Sequence, residues 1–350
     1  MRMQSDRSII IITSLLIFSI IILLGMGLEG YALVGKILFS FFFFVVALPR
    51  LSWCQLTILS LIAIIATIAI MRRNSVFSES IAICIVITCM MLVAKSNTFN
   101  LSEPASQWLS AGVAIIVTSG FIIPLLGSDN YTYYGTTPRG EYSSVLDASF
   151  IVVGILIANY LSTQRLVVNV LAILLIYYFI PSRSLIFIAI ILVWLNKINV
   201  IFRVGLMACI FAFFIWHLLQ NDYFMNKISA MFLGDEQRFS AIQCGVYVIS
   251  KFNLSDVFFG LDISSFRTHT RECLPDARLI ESDLFDISIR FGIFPLVVYL
   301  IYIVRVAQKS AIVFLVCSYG LLFGHVAFNP LMLIPIALTI AYREKFYAIK

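Results

Sequence analysis

The chain has 350 residues, of which 61% are hydrophobic and only 12% are charged. Because apolar residues make up about half of an ordinary soluble domain, this composition excludes a soluble globular protein and predicts one that lies in lipid. The net charge of +6 is modest. In a membrane protein the net charge reflects the orientation of the short loops, and here it gives no indication of nucleic-acid binding.

Apolar segments long enough to cross a bilayer recur along the whole chain. A spanning helix needs about 20 mostly apolar residues, and on this measure we predict an all-α integral membrane protein with about twelve spans in one polytopic domain, residues 1–350. The first segment counts as a span because no small-residue cleavage site follows it. The predicted segments are 8–25, 30–48, 55–71, 79–95, 108–126, 148–162, 165–181, 184–196, 200–219, 284–305, 310–326 and 328–343.

Basic residues in short loops predict that both termini lie in the cytoplasm. This arrangement puts residues 127–147 and a long loop, residues 220–283, on the outer side. It also puts Lys36, Arg72 and Arg73 outside, against the trend, so either a segment before residue 108 is miscounted or these cations are external for a reason. The supporting cations are Arg2, Arg7, Arg50, Arg165, Lys197, Arg203, Arg305, Lys309, Arg343, Lys345 and Lys350.

The long loop is predicted to contain a helix and to pack on the outer membrane face. Apolar side chains recur at helical spacing after Arg238, at Phe239, Ile242, Val246 and Ile249. Cys244 and Cys273 share this loop, and an oxidising compartment would allow them to form a disulfide, but the sequence leaves their distance open. The remaining cysteines lie in or beside apolar runs and are interpreted as small hydrophobic residues.

Ionisable side chains close to the membrane are functional candidates, because an unpaired charge is costly there. Arg183 lies in a tight turn between two apolar segments, and its planar donor fork suits phosphate or carboxylate. The alternative is an arginine that extends to the membrane interface. Arg238 follows Asp235 and Glu236, so a salt bridge within the loop is as good an interpretation as ligand binding.

A third group of charges runs from the end of the long loop into the next membrane segment. Asp283, Asp286 and Arg290 share one helical face, and a helix beginning near Asp283 puts Arg290 about 10 Å along it, at apolar depth. Arg290 must then face a cavity or a partner, unless it simply pairs with Asp286. His269 has no Cys or second His nearby, so we predict no metal site. The group also contains Arg267, Arg271, Arg278 and Glu281.

These features follow one another in a defined order along the chain. The order is the turn of Ser182, Arg183 and Ser184, the loop helix headed by Arg238, a turn at 259–261, and the stretch 281–283 that leads into the stretch 291–293. Over residues 165–300 this order resembles the O-antigen polymerase and ligase superfamily. The resemblance implies a GT-C-like membrane glycosyltransferase in the bacterial inner membrane, with its active site facing the periplasm. It would act on undecaprenyl-pyrophosphate-linked oligosaccharides without a cofactor or metal, with membrane lipid and a chain-length regulator protein as further partners.

The resemblance also implies roles for individual residues. Arg183 and Arg238 would hold the donor pyrophosphate and stabilise it as the leaving group, with Arg278 and Arg290 as further ligands. Glu281 or Asp283 would accept the proton of the acceptor hydroxyl as it attacks the anomeric carbon with inversion. Ligase members carry histidine where this chain has Glu281, which favours a polymerase. Further candidates are Arg139, Arg267, His269 and Arg271.

Two alternative functions stay open, an O-antigen ligase and a flippase or transporter of lipid-linked oligosaccharides. Ion-coupled transporters place acidic residues on broken helices at the middle of the membrane. The acids here lie at the ends of the predicted segments, which favours an enzyme; they are Glu79, Asp147, Glu281 and Asp283.

Overall fold

The computed structural model describes residues 29–95, 165–179, 183–219, 236–273, 282–323 and 330–342, with a few single positions outside these ranges. Every regular element within them is helical, which confirms the all-α prediction. The α-helices are α1 (Glu29–Ala47), α2 (Trp53–Met71), α3 (Phe77–Lys95), α4 (Leu166–Phe179), α5 (Arg183–Leu195), α6 (Val200–Leu219), α7 (Glu236–Ser250), α8 (Leu254–Phe259), α9 (Ile263–Cys273), α10 (Asp283–Phe291), α11 (Ile293–Ala307), α12 (Ala311–Phe323) and α13 (Pro330–Tyr342).

Most predicted segments correspond to one helix with nearly the same ends, because apolar runs bounded by polar residues mark helices in lipid well. Within the described ranges, α2 and α3 are long and apolar enough to cross a membrane, which supports membrane association. Shorter apolar helices include α4, α5, α6, α11, α12 and α13. The total of about twelve spans stays a prediction, and the segments 8–25, 108–126 and 148–162 fall largely outside the described residues.

The chain divides into two compact units. The first contains α4 to α6, where Tyr177 of α4 is completely buried and its ring lies 6.2 Å from that of Phe213 and 5.9 Å from that of Phe214 on α6. Arg203 closes the connection between α5 and α6 by donating a hydrogen bond to the carbonyl of Asn196 (2.9 Å). The second unit, residues 40–95 and 229–330, holds α2, α3 and α7 to α12.

The second unit joins the long loop to the membrane helices through an apolar cluster. Its buried members come from α7, from α10 and from the segment between α8 and α9, and they are Cys244, Val248, Leu261, Phe285 and Ile289. Ile242 and Ile249 pack against this cluster, so the predicted loop helix is confirmed. Val246, which has the same predicted spacing, is 58% exposed. Gly245 is required at its position because a Cβ there would lie 2.6 Å from the Phe285 ring.

The predicted segment 284–305 is not one helix, since the structure breaks it at Gly292 into α10 and α11. Gly292 has φ +83°, a conformation that side chains disfavour. The backbone of α8 also approaches so closely that a Cβ on Gly292 would lie 2.3 Å from the carbonyl oxygen of Phe258. The break therefore depends on a contact with the long loop, which hydropathy does not encode.

We expect Gly292→Ala to lower the thermal midpoint of the detergent-solubilised protein by several degrees, because the added methyl group collides with backbone atoms of Phe258. Size-exclusion chromatography after heating measures that midpoint. Gly205→Ala in α6 is the matched control, because a methyl group added there would meet nothing within 4 Å and alanine favours helix. Equal midpoints for the two variants would contradict the packing described at Gly292.

Candidate functional site

The first turn of α10 is fastened to three other parts of the second unit. The Ser282 hydroxyl donates to the carbonyl of Leu321 at the end of α12 (2.6 Å). Asp283 is completely buried, and its Oδ2 accepts from the backbone N–H of Ala327 (2.9 Å) and from the Tyr299 hydroxyl of α11 (3.4 Å). A carboxylate enclosed in this way has no surface for a sugar, so its position suits an anchor of the helix start.

Arg290 lies at the other end of α10 between two carboxylates. Its Nε is 2.9 Å from Oδ1 of Asp286, and its Nη1 forms an ion pair with Oε2 of Glu79 from α3. The guanidinium also lies 5.7 Å from the centre of the Phe328 ring, a cation–π distance. We call Glu79, Asp286 and Arg290 the Arg290 cluster. Arg290 therefore pairs with Asp286 within its own helix and also faces a partner, Glu79 of α3, so both interpretations of Arg290 are confirmed.

The charge balance of the Arg290 cluster bears on its predicted role. Two carboxylates face one guanidinium, and burial of this cation is offset by both of them. A pyrophosphate would have to displace these anions in order to bind Arg290. The proposed role of Arg290 as a phosphate ligand stays a prediction, while its geometry fits the joining of α10 to α3.

A second ion pair ties the α2–α3 turn to the long loop. Arg72 Nη2 lies 3.2 Å from Oδ1 of Asp256, which is buried at the start of α8, and the Asn74 amide donates to the carbonyl of Phe259 (3.1 Å). Asp256 also takes part in a capping box with Asn253. Arg72 thus has a partner that explains why a cation occupies this turn.

Basic residues gather at the opposite end of the same helices. Lys95, at the end of α3, donates to the carbonyl of Arg50, just before α2 (2.6 Å). The Tyr302 hydroxyl of α11 hydrogen-bonds with Gln55 in the first turn of α2. Arg305 and Lys309 follow within two turns. We call Arg50, Lys95, Arg305 and Lys309 the basic end, and Glu79, Asp256, Asp283 and Asp286 the carboxylate end.

A disulfide between Cys244 and Cys273 joins α7 to α9, with their Cα atoms 5.4 Å apart. We call residues 244–273 the disulfide-closed segment. It includes Asp256, so it lies at the carboxylate end of the helices. Disulfides persist in oxidising compartments and are rare in the cytosol, which makes this bond an indicator of sidedness.

Hydrogen bonds fix the start of α9 within the disulfide-closed segment. Asp262 accepts from the hydroxyls and backbone N–H groups of Ser264 and Ser265, which lower the pKa of Asp262 to about 2. Near the end of α9, a hydrogen bond from the Tyr247 hydroxyl lowers the pKa of Glu272. Both carboxylates are thus charged structural groups at neutral pH.

The remaining predicted site residues are distributed as follows. Arg183 is the first residue of α5 in the first unit, and Arg238 lies in the first turn of α7. His269 lies 3.7 Å from Glu272, and among the described residues there is no group of three or more side chains suited to a metal. Arg267 and Arg271 are exposed on α9, whereas Arg139, Arg278 and Glu281 lie outside the described residues.

Sequence reasoning missed the partners that come from the first hundred residues. Asp256 lies 184 positions from Arg72, and no local spacing can reveal a contact of that kind. Two signals were present: Arg72 violated the positive-inside trend, and Glu79 was an acid at the end of an apolar segment.

No protein-family model, characterised protein or solved structure matches this chain. Its described residues define an all-helical protein with two helices long and apolar enough to cross a membrane and with partly buried ion pairs.

We expect Arg290→Met to destabilise the protein by about 3 kcal/mol, because it removes the cation that Glu79 and Asp286 share and leaves two like charges close together. Adding Glu79→Gln and Asp286→Asn to the same chain should restore most of the loss. The thermal midpoint in detergent measures both effects. Arg267→Met, an exposed position on α9, is the control and should change little. A triple variant no more stable than Arg290→Met would contradict the charge argument.

Proposed function

We propose that this chain polymerises undecaprenyl-pyrophosphate-linked O-antigen repeat units on the periplasmic face of the bacterial inner membrane. It would transfer the growing chain from its lipid carrier to an incoming lipid-linked repeat unit. The observation that carries the proposal is the disulfide-closed segment, which the ion pair between Asp256 and Arg72 holds to the ends of apolar helices. Polymerisation of a lipid-linked donor outside the cytosol needs an ordered external segment of this kind, and α7, which enters the segment at Cys244, carries Arg238 in its first turn.

The charge distribution supports the same orientation. The positive-inside rule favours a cytoplasmic position for the basic end, and the disulfide independently favours an oxidising compartment for the carboxylate end. The two criteria rest on different physics and agree. In this orientation the α2–α3 turn is external, and the pairing of Arg72 with Asp256 offers a reason for a cation there.

Within this proposal, Glu281 is the base and Asp283 is a positioning residue. Asp283 is enclosed by Tyr299 and Ala327, so it holds the start of α10, directly after Glu281 in the chain. Glu281 takes the proton of the acceptor hydroxyl while that oxygen bonds to the anomeric carbon of the donor. The bond between that carbon and phosphate breaks, and the pyrophosphate leaves with the electron pair. Arg238 neutralises the leaving charge.

A transporter of lipid-linked oligosaccharides is the second candidate, and one observation favours it. The break between α10 and α11 at Gly292 lies next to Arg290, and ion-coupled transporters combine broken helices with paired charges. The pairing of Arg290 with Glu79 and Asp286 fits the joining of α10 to α3, however, which favours a structural role for these charges.

In a host that lacks its own copy, we expect Glu281→Gln to insert normally and to leave lipopolysaccharide that carries a single repeat unit, because the amide cannot accept the proton. Silver-stained gels of the lipopolysaccharide measure chain length. Glu272→Gln is the matched control, since it makes the same change at an exposed position in the external segment and should give a full ladder.

The same gels separate the alternatives. Loss of a polymerase leaves one repeat unit, whereas loss of a ligase leaves no repeat units on lipid A core. Loss of a flippase strands the lipid-linked unit on the cytoplasmic side. A full ladder from Glu281→Gln would remove this residue from the chemistry.

We expect an impermeant maleimide reagent to label positions 244 and 273 in intact spheroplasts only after reduction, because their sulfur atoms are joined and external. The variant used carries Cys54→Ser and Cys209→Ser, which removes the exposed thiols among the described residues. A shift in gel mobility reports labelling. Labelling that requires permeabilised cells would reverse the proposed orientation.

A further inference from the structure

Helix α8 presents apolar side chains outward and its acid inward. Leu254 is 76% exposed and Phe258, four residues later, is 49% exposed, so the two share one face of the helix. Asp256 is buried beneath Arg72. A helix in water has the opposite arrangement, which indicates that the medium outside α8 is not water.

The apolar face of α8 continues onto the membrane helices beside it. The α8 backbone meets Gly292 at the start of α11, where a Cβ would lie 2.3 Å from the carbonyl oxygen of Phe258. Along α11 an exposed apolar stripe follows, formed by Ile293, Val297, Ile301 and Val304. Met71, the last residue of α2, is 79% exposed and directly precedes Arg72, the partner of Asp256.

Helix length sets the depth of α8. Thirteen residues separate Gly292 from Arg305 at the basic end, a rise of about 20 Å at 1.5 Å per residue. The hydrocarbon core of a bilayer is about 30 Å thick. If Arg305 lies at the inner boundary, the contact between α8 and Gly292 falls within the outer part of the hydrocarbon layer.

Helix α9, in the same disulfide-closed segment, shows a different surface. Its exposed positions beyond Ile263 are polar, and they include Ser264, Arg267, Thr268 and Arg271. One segment therefore carries an apolar face on α8 and a polar face on α9. This division is expected of a segment that lies at the boundary between lipid and water.

We propose that α8 is an interfacial helix whose Leu254 and Phe258 insert among the acyl chains of the outer leaflet. The occupant of this surface is membrane lipid. Insertion anchors the disulfide-closed segment to the bilayer at a fixed depth, in addition to the ion pair between Arg72 and Asp256. The inference does not depend on the reaction catalysed, so it stands or fails separately from the proposed polymerase activity.

Spin labels test this inference in the full chain reconstituted in phosphatidylglycerol and phosphatidylethanolamine vesicles. A label on Phe258→Cys, in the background of Cys54→Ser and Cys209→Ser, is expected to collide with oxygen and to be shielded from a water-soluble nickel chelate. Val297→Cys is the control for lipid and should behave in the same way. Thr268→Cys is the control for water and should give the reverse pattern.

Each outcome at position 258 decides the question. Nickel access equal to that of position 268 would place α8 in water and overturn the proposal. Shielding from both reagents would show that protein covers α8, either a second copy or another segment of this chain, and would also overturn it. Leu254→Cys provides a second position on the same face if Phe258→Cys does not fold, and the same pattern is expected there.

Discussion

The position of Arg290 between Glu79 and Asp286 is the constraint on which the second unit depends. A guanidinium cannot lose its charge at any ordinary pH, so within an apolar bundle it requires anions at hydrogen-bond distance. Because one anion comes from α3 and the other from α10, the pairing fixes the lateral position of α10. The chain then reaches α11 through the break at Gly292, against which α8 packs.

One disulfide within the long loop and two kinds of contact with this framework order the loop. The disulfide closes α7 onto α9, the pair of Arg72 with Asp256 holds α8 to the α2–α3 turn, and apolar packing around Phe285 fixes α7 to α10. None of these is a contact between neighbours in sequence. Together they make the loop an ordered segment that is held against the helix ends.

Asp283 shows how burial separates candidates that look alike in sequence. Glu281 and Asp283 are both acids at the entrance to one helix, and spacing gave no reason to prefer either as the base. The structure encloses Asp283 between Tyr299 and the Ala327 amide, where it stabilises the start of α10. Because Asp283 is enclosed, the proposed proton transfer is assigned to Glu281. Glu281 precedes in the chain the start of α10, which Asp283 stabilises.

The sequence alone determined the helical class, the ends of most described helices and the helix that follows Arg238, because these depend on local hydropathy and periodicity. It also offered Asp286 as one of the alternative partners of Arg290, since the two lie four residues apart on one helix, and the structure contains that pair. Only the tertiary structure decided that Glu79 shares Arg290, that Arg72 meets Asp256, that Cys244 reaches Cys273 and that the helix breaks at Gly292. Each of these depends on the approach of segments far apart in the chain, and a local pattern of residues carries no record of such an approach.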